Sequence, residues 1–231
     1  GYQAVMEMSQ IVKEINSNCD FTFKPCFLYT QDPRKVDYMA DECKSRQAIG
    51  IHCELFTSET HQNEFSFNFE VGVYSHYGAA IINPVQFTRD LIDYNVKKGL
   101  QVFENTNIVD YNLSSRQSVL ITEQEFTITA DKVIICTGYD ALEWFKHEKP
   151  FYTLSRSFAV LTKPVENFHG WKEACIIRDD QDPYTYIRPT LSNSIIIGGE
   201  DLEIDDLDGE VANMGDRHPL ALQQYHQLLR R

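Results

Sequence analysis

The chain has 231 residues, of which 42% are hydrophobic and 24% charged, so it has the composition of a folded globular protein rather than a disordered one. Its formal net charge of −13, with no cluster of Lys and Arg, argues against binding to nucleic acid, which requires such clusters to displace counterions. We find neither a signal peptide nor an apolar run long enough to span a bilayer, so we expect no membrane partner.

The first eighty residues carry both helix and strand signals. Apolar residues recur every three or four positions from Ala4 to Ile15, which predicts an amphipathic helix. A strand is predicted over Thr22 to Thr30. Asp32-Pro33 then provides an N-cap and a first-turn proline for a helix that ends at Gly50. Apolar and polar residues alternate from Phe65 to Val73, which predicts a strand with one apolar face.

A helix followed by short strands is predicted between residues 81 and 140. Asn83-Pro84 caps the helix and Gly99 ends it. Lys132 to Cys136 is a short apolar run typical of a buried parallel strand, and it leads into Thr137-Gly138. Ligands lie beyond the carboxyl ends of such strands, although an ordinary strand exit has the same pattern. The other strands predicted in this block are 100–104, 106–111, 118–122 and 125–129.

Longer antiparallel strands are predicted after residue 150, and an apolar stripe from Leu222 to Leu229 predicts a final helix. Because the block at about 81 to 140 differs from its flanks, we expect two interleaved parts. No stop signal follows the last helix and the first residue is Gly1, so we expect a piece of a longer protein. The strands predicted here are 155–162, 174–178, 184–188 and 194–197.

Six cysteines are present, but none forms a CxxC pair or has a Cys/His spacing typical of zinc, so we expect no metal site. Several lie in apolar runs, which predicts reduced, mostly buried thiols and a cytoplasmic protein. The cysteines are Cys19, Cys26, Cys43, Cys53, Cys136 and Cys175.

Taken alone, the residues specify no reaction. The chain has no GxGxxG, no GxxxxGK[ST], no GxSxG and no HExxH motif, and its seven histidines are scattered.

Three segments together, however, resemble the D-amino-acid-oxidase and glycine-oxidase family of flavoproteins. IINPVQFTRDLIDYNVKKGLQVFENTNIVDY (81–111) and ITADKVIICTGYD (128–140) are similar to its central helix, meander and strand. DPYTYIRPTLSNSIIIGGED (182–201) is similar to its substrate-domain hairpin. The order and spacing of the segments match over about residues 20 to 201.

The resemblance implies an α+β or α/β fold. An antiparallel substrate-domain sheet with helices would be formed by residues 1–80 and 143–231. Residues 81–142 would form part of a FAD-binding, glutathione-reductase-like domain that contains a β-meander.

It also implies site residues. Thr106 and Ile108 would lie against the adenine of FAD, and Thr137 and Gly138 near its pyrophosphate. Tyr186 and Arg188 would face the substrate, where Arg188 could hold a carboxylate through a bidentate pair or serve a structural role on its strand. The resemblance implies no catalytic residue that we can name.

The sequence departs from the family at its ends. The strand–GxGxxG–helix that places pyrophosphate on a helix N-terminus is absent, as is the acidic residue that binds the ribose. We therefore expect a parent protein that is a FAD-dependent oxidoreductase of a small amino acid or amine. We expect the chain alone to be inactive and not to retain FAD.

Two alternatives remain open at this stage. One is a non-catalytic binding or assembly subunit that keeps the substrate-domain fold. The other is a nicotinamide-dependent dehydrogenase, which the meander favours less. The sequence does not indicate an oligomeric state.

Overall fold

The computed structural model describes residues 2–138, 153–204 and 214–230. Among these residues, no helix is both long and apolar enough to cross a membrane. The described α-helices are α1 (Tyr2–Glu14), α2 (Val36–Ala48), α3 (Ser58–His61), α4 (Pro84–Val96) and α5 (Pro219–Leu228). The strands are β1 (Thr22–Thr30), β2 (Cys53–Thr57), β3 (Val71–Ile81), β4 (Ile108–Asn112), β5 (Ser118–Thr122), β6 (Thr127–Ala130), β7 (Leu154–Leu161), β8 (Ile176–Asp179), β9 (Thr185–Pro189) and β10 (Ile195–Ile204).

The main sheet has seven strands in the order β2-β3-β1-β8-β9-β10-β7. Neighbouring strands are antiparallel except for β1 and β8, which pair in parallel from Cys26 opposite Ile176 to Tyr29 opposite Asp179. The predicted mixture of helices with a mainly antiparallel sheet is confirmed. The sheet is nevertheless mixed, because β1 and β8 come from distant parts of the chain and run in the same direction.

A second sheet contains the three antiparallel strands β4-β5-β6, which form the predicted meander. The described residues divide into two compact units. One comprises the residues up to Ile92 and from Thr153 onward, and the other runs from Asp93 to Gly138. The chain therefore leaves the first unit and returns to it. The assignment of these units to substrate and FAD-binding domains stays a prediction.

One face of the main sheet is covered by an aromatic cluster, and we call it the aromatic face. Phe27 on β1 lies at its centre, stacked on Phe65 with 4.4 Å between ring centroids and edge-to-face with Phe69 at 5.1 Å. Tyr74 and Ile177 complete the buried core on neighbouring strands. Aromatic burial of this extent supplies a large part of the hydrophobic free energy of folding.

The strand predicted from Phe65 to Val73 is wrong in its position. Phe65 and Phe69 are buried and the residues between them are not, so the alternation does describe burial. The backbone here instead bonds to loops, as Ser66 N–H donates to the Gly170 carbonyl at 2.6 Å. The strand β3 starts only at Val71. The alternation of apolar and polar residues therefore belongs partly to a loop that lies over the sheet, not to a single strand.

The opposite face is covered by α2 over half of its width. Met39 and Cys43 on α2 pack on Val71 and Val73 of β3 and on Cys53 of β2. Because the first residues of β3 have the aromatic cluster on one side and α2 on the other, they are buried without alternation.

Helix α5 packs on the aromatic face at the far side of the sheet. Its buried residues Ala221 and Leu228 contact Phe158 of β7, and Met214 joins the same cluster. The predicted final helix is confirmed. Strand β10 continues past the predicted end, through Gly199 to Ile204, with a bulge between Gly199 and Leu202.

The predicted buried strand from Lys132 to Cys136 is wrong. These residues form no strand, Ile134 is 85% exposed and Cys136 is exposed. A parallel strand is stable only between paired neighbours with both faces covered, and no strand in the described part of the chain pairs with this segment. Residues 100–104 also form no strand. The prediction that the thiols are mostly buried is therefore wrong for Cys136, which is exposed.

Burial raises the pKa of two core thiols, which predicts that the fold is less stable in alkali. The pKa of Cys53 rises to about 11 and that of Cys175 to about 12, from an ordinary value of 9.0, mainly because burial penalises the thiolate. Below pH 9 both thiols are protonated in the folded and unfolded chains. Above it the unfolded chain loses its protons first, so the free energy of unfolding should fall as the pH rises from about 9 to about 12.

This expectation is checked by urea unfolding across that pH range. Cys175→Ala should flatten the fall, whereas Cys136→Ala should leave it unchanged because Cys136 is exposed. An unfolding free energy that shows the same pH dependence with and without Cys175 would contradict the assignment.

Candidate functional site

Beyond α2, the same face of the sheet carries a row of polar and small residues. Arg178 on β8 lies opposite Tyr186 on β9, and Tyr186 lies opposite Gly198 on β10. Leu28 on β1 is the neighbour of Arg178 in the same row and packs against the α2 cluster. The row therefore lies on the face of the sheet on which α2 packs. Successive residues of a strand alternate between faces, so Arg188 shares the face of Tyr186. We call this surface the arginine face.

Tyr186 is positioned by a glycine. A Cβ atom on Gly198 would overlap the ring and hydroxyl of Tyr186, so the ring lies directly over the β10 backbone. Gly198 itself is buried, and Tyr186 is half-buried. Because Gly198 has no side chain, the phenol ring of Tyr186 can occupy this place.

Tyr184 extends the aromatic surface beside Tyr186. Their ring centroids are 6.3 Å apart, and the guanidinium carbon of Arg178 lies 4.1 Å from the centroid of Tyr184. A guanidinium at this distance is attracted to the ring by a cation–π interaction. The residues of this group that were not predicted from the sequence as site residues are Arg178, Tyr184 and Gly198. The alternation of Tyr184, Tyr186 and Arg188 along one strand was a signal that could have placed Tyr184 with them.

Arg188 lines a cleft of about 310 Å³ in the first unit. The cleft lies between the β9–β10 turn, which contributes Thr190 and Ser192, and the segment that leads into α4, which contributes Asn83. Arg188 is half-buried, and no described residue forms a hydrogen bond or ion pair with its guanidinium. A partly desolvated guanidinium that has no partner among residues 2–138, 153–204 and 214–230 is suited to bind a carboxylate through two parallel hydrogen bonds.

The predicted cofactor residues lie in the second unit. Thr106 lines a cleft of about 590 Å³ whose other walls include Phe103, Phe126 and Ile128. Ile108 is the first residue of β4, opposite Thr122 on β5. Apolar side chains with nearby backbone and hydroxyl groups can accept a flat aromatic group such as a purine base. The structure thus brings Thr106 and Ile108 to one end of the meander.

Thr137 and Gly138 are exposed, and no described hydrogen bond links them to Thr106 or Ile108. Gly138 has a φ of +60°, and a Cβ built there would have no atom within 4 Å. Open backbone of this kind allows a phosphate to approach closely. The structure therefore keeps both residues accessible without joining them to the cleft at Thr106.

Within the described ranges, no group of three or more His, Cys, Asp or Glu side chains is placed to hold a metal ion. Residues 1–231 match the sequence model of a protein family that is described as FAD dependent oxidoreductase. The chain belongs to this family.

Solved structures with the same fold include a dehydrogenase and two oxidases. L-proline dehydrogenase from P. horikoshii aligns with a TM-score of 0.75 and 14% identity, over 98% of this chain and 60% of its own. Glycine oxidase from Geobacillus kaustophilus aligns with a TM-score of 0.72 and 17% identity, over 88% and 56%. L-α-glycerophosphate oxidase from Mycoplasma pneumoniae, solved with FAD bound, aligns with a TM-score of 0.73 and 15% identity, over 98% and 62%.

At these identities the structural similarity shows the fold alone. The chain spans about 60% of the length of these structures. The search of curated proteins found no match. Family membership and fold are therefore established, and the activity and substrate are matters for proposal.

The contact between Gly198 and Tyr186 can be tested by a double-mutant cycle. Gly198→Ala should destabilise the protein by about 1 to 3 kcal/mol, because the new methyl group overlaps the Tyr186 ring. The cost should fall to below about 1 kcal/mol in a Tyr186→Ala background, where the ring is gone. Urea unfolding measures all four proteins. An equal cost in both backgrounds would show that the ring does not lie over Gly198.

Proposed function

We propose that this chain is part of a flavoprotein that oxidises a small amino acid or amine by transferring hydride to the flavin of FAD. The observation that carries the proposal is the half-buried Arg188, which has no hydrogen-bond or ion-pair partner among the described residues and lies on the same face as Tyr186, in a chain of the FAD-dependent oxidoreductase family. The names of two structural relatives, a proline dehydrogenase and a glycine oxidase, support an amino acid as substrate.

Each site residue has a proposed role. Arg188 binds the substrate carboxylate through two N–H donors, and the Tyr186 hydroxyl donates a further hydrogen bond to it. Tyr184 limits the site on one side and excludes water. These residues fix the orientation in which the carbon that loses hydride is presented. FAD, when bound, accepts the two electrons as hydride, which is chemistry that protein side chains do not supply.

For the cofactor we propose two contact regions in the second unit. The cleft at Thr106, with its apolar walls, would hold the adenine, and the backbone at Ile108 would hydrogen-bond its edge. The accessible backbone of Thr137 and Gly138 would approach the pyrophosphate. These residues fit the group in polarity and access.

We further propose that the chain is a segment of a longer, cytoplasmic protein and that it does not retain FAD tightly by itself. Two observations support a segment that does not retain FAD. The chain spans about 60% of its structural relatives, and the sequence contains no GxGxxG turn to cradle pyrophosphate. Its expected partner is a small amino acid or amine, and its net charge of −13 is unfavourable for nucleic acid.

The flavin content of the full-length gene product tests the proposal against a non-catalytic binding subunit. The purified full-length protein should carry about one FAD per chain, detected by visible absorbance, whereas the 231-residue chain should lose FAD on gel filtration. A colourless full-length protein that also fails to take up added FAD would support the binding subunit and overturn the oxidoreductase.

The role of Arg188 is tested in the full-length enzyme. Arg188→Gln should raise KM for amino-acid substrates by about tenfold or more, because a charge-assisted hydrogen-bond pair is lost. KM for an amine that lacks a carboxylate should not change. Arg116→Gln, an exposed residue of the β4–β5 turn, is the control and should change neither KM. Equal effects of Arg188→Gln on both substrates would refute carboxylate binding.

A further inference from the structure

Two cysteine side chains meet between α2 and β2, at one edge of the main sheet. The Sγ atoms of Cys43 on α2 and Cys53 on β2 are 3.6 Å apart, and the Cys53 Sγ also lies 3.4 Å from the Cys43 carbonyl oxygen. Both thiols are free and buried. Because a disulfide bond is about 2.05 Å long, the two sulfurs are in contact without being bonded. A rotation about the side-chain bonds is enough to bring them to bonding distance.

The register of the sheet excludes a third cysteine, Cys26, as the partner of Cys53. Cys53 and Cys26 both pair with Ser75, one from each side of β3. Adjacent strands are about 4.8 Å apart, so the Cα atoms of Cys53 and Cys26 are separated by about 10 Å. The Cα atoms of two bonded cysteines are at most about 7 Å apart. Cys26 therefore cannot replace Cys43 while the sheet is intact.

The apolar contact that a bond between Cys43 and Cys53 would reinforce is small. Of the 13 residues of α2, Met39 and Cys43 are the buried ones. They pack on Val71 and Val73 of β3 and on Cys53 of β2. A covalent bond at this contact restricts the unfolded chain, whereas the folded chain already holds the two sulfurs together. The bond should therefore stabilise the attachment of α2 to the sheet.

We propose that Cys43 and Cys53 form a modification site, at which a peroxide converts the two thiols to a reversible disulfide that fastens α2 to β2. The strand β2 lies at the edge of the sheet, so the bond would tie an edge strand to the helix that covers it. Disulfides that respond to oxidants are transient in a reducing compartment, which agrees with the free thiols of this structure. The inference does not depend on the proposed function.

The reaction consumes one hydrogen peroxide and forms one disulfide. One sulfur, as its thiolate, attacks the O–O bond, so that an S–O bond forms, the O–O bond breaks and the leaving hydroxide takes up a proton to become water. The second sulfur then attacks the sulfenic acid, so that the S–S bond forms and the S–O bond breaks. The hydroxyl group leaves with the proton of the second thiol as another water. The two thiols lose two electrons and two protons, and the peroxide is reduced to two waters.

The position of the pair gives access to a small oxidant but makes the reaction slow. Ile49, Gly50 and His52, in the connection between α2 and β2, are exposed, and a segment at a sheet edge opens locally more readily than the core. Burial raises the pKa of the Cys53 thiol to about 11, so little of its thiolate exists at neutral pH. The reaction should therefore be faster near pH 9 than near pH 7.

The test exposes the full 231-residue chain to hydrogen peroxide at about pH 8.5. Remaining thiols are then blocked with iodoacetamide, and mass spectrometry of unreduced peptides identifies the bonded cysteines. We expect a disulfide between Cys43 and Cys53 that dithiothreitol reverses. In a separate, unblocked sample, Tm should rise by about 5 to 10 °C, because the bond joins residues ten positions apart.

Variants of single cysteines provide the controls. Cys43→Ala and Cys53→Ala should each abolish the cross-link and the rise in Tm. Cys26→Ala, which removes a nearby thiol outside the pair, should keep both. Peptide mapping of the wild-type chain identifies the bonded residues directly, so the test does not depend on the stability of the variants.

Three outcomes would overturn the proposal. The first is that peroxide leaves Cys43 and Cys53 as thiols or converts them only to sulfinic acids. The second is that Cys53 bonds to a different cysteine. The third is that the Cys43–Cys53 disulfide forms but does not raise Tm, which would show that the bond does not fasten α2 to the sheet.

Discussion

The parallel pairing of β1 with β8 is the contact on which the rest of the main sheet depends. It joins the three strands near the start of the chain to the four that follow residue 153. On the aromatic face, Phe27 and Ile177 lie in one core cluster across this junction. On the opposite face, the pairing puts Leu28, which packs against the α2 cluster, next to Arg178. Without it, the covered and uncovered halves of the sheet would not be adjacent.

The two faces of the sheet consequently have different roles. The aromatic face is closed by the Phe27 cluster and by α5, and its burial stabilises the fold. On the arginine face, α2 packs on β2 and β3, and Tyr186 and the arginines on either side of it lie on the strands beyond this helix. Binding groups held by a sheet are positioned more precisely than groups on loops. We therefore propose that a substrate is oriented on the part of this face that lies beyond α2.

Local patterns predicted the local structure well and the long-range structure poorly. Apolar periodicity located α1, and the cap and stop signals located α2 and α4. The strands predicted at 184–188 and 194–197 correspond to β9 and to the start of β10. The alternation from Phe65 to Val73 reported burial correctly but could not distinguish a strand from a loop lying over a sheet. The apolar run ending at Cys136 predicted a buried strand, yet a strand also needs a partner that no local pattern specifies. The position of Arg178 opposite Tyr186 could not be predicted, because it depends on the register between β8 and β9, which no local pattern specifies.

The continuity of the sheet across β1 and β8 is tested most directly by nuclear Overhauser contacts in the isolated chain. Pairing of β1 with β8 predicts contacts between the backbone protons of Leu28 and those of Arg178, together with contacts between the Phe27 ring and the Ile177 side chain. Two sets of strands with no contacts between them would mean that β1 and β8 do not pair. In that case Tyr186 and the two arginines would not lie beside the α2-covered half of one sheet.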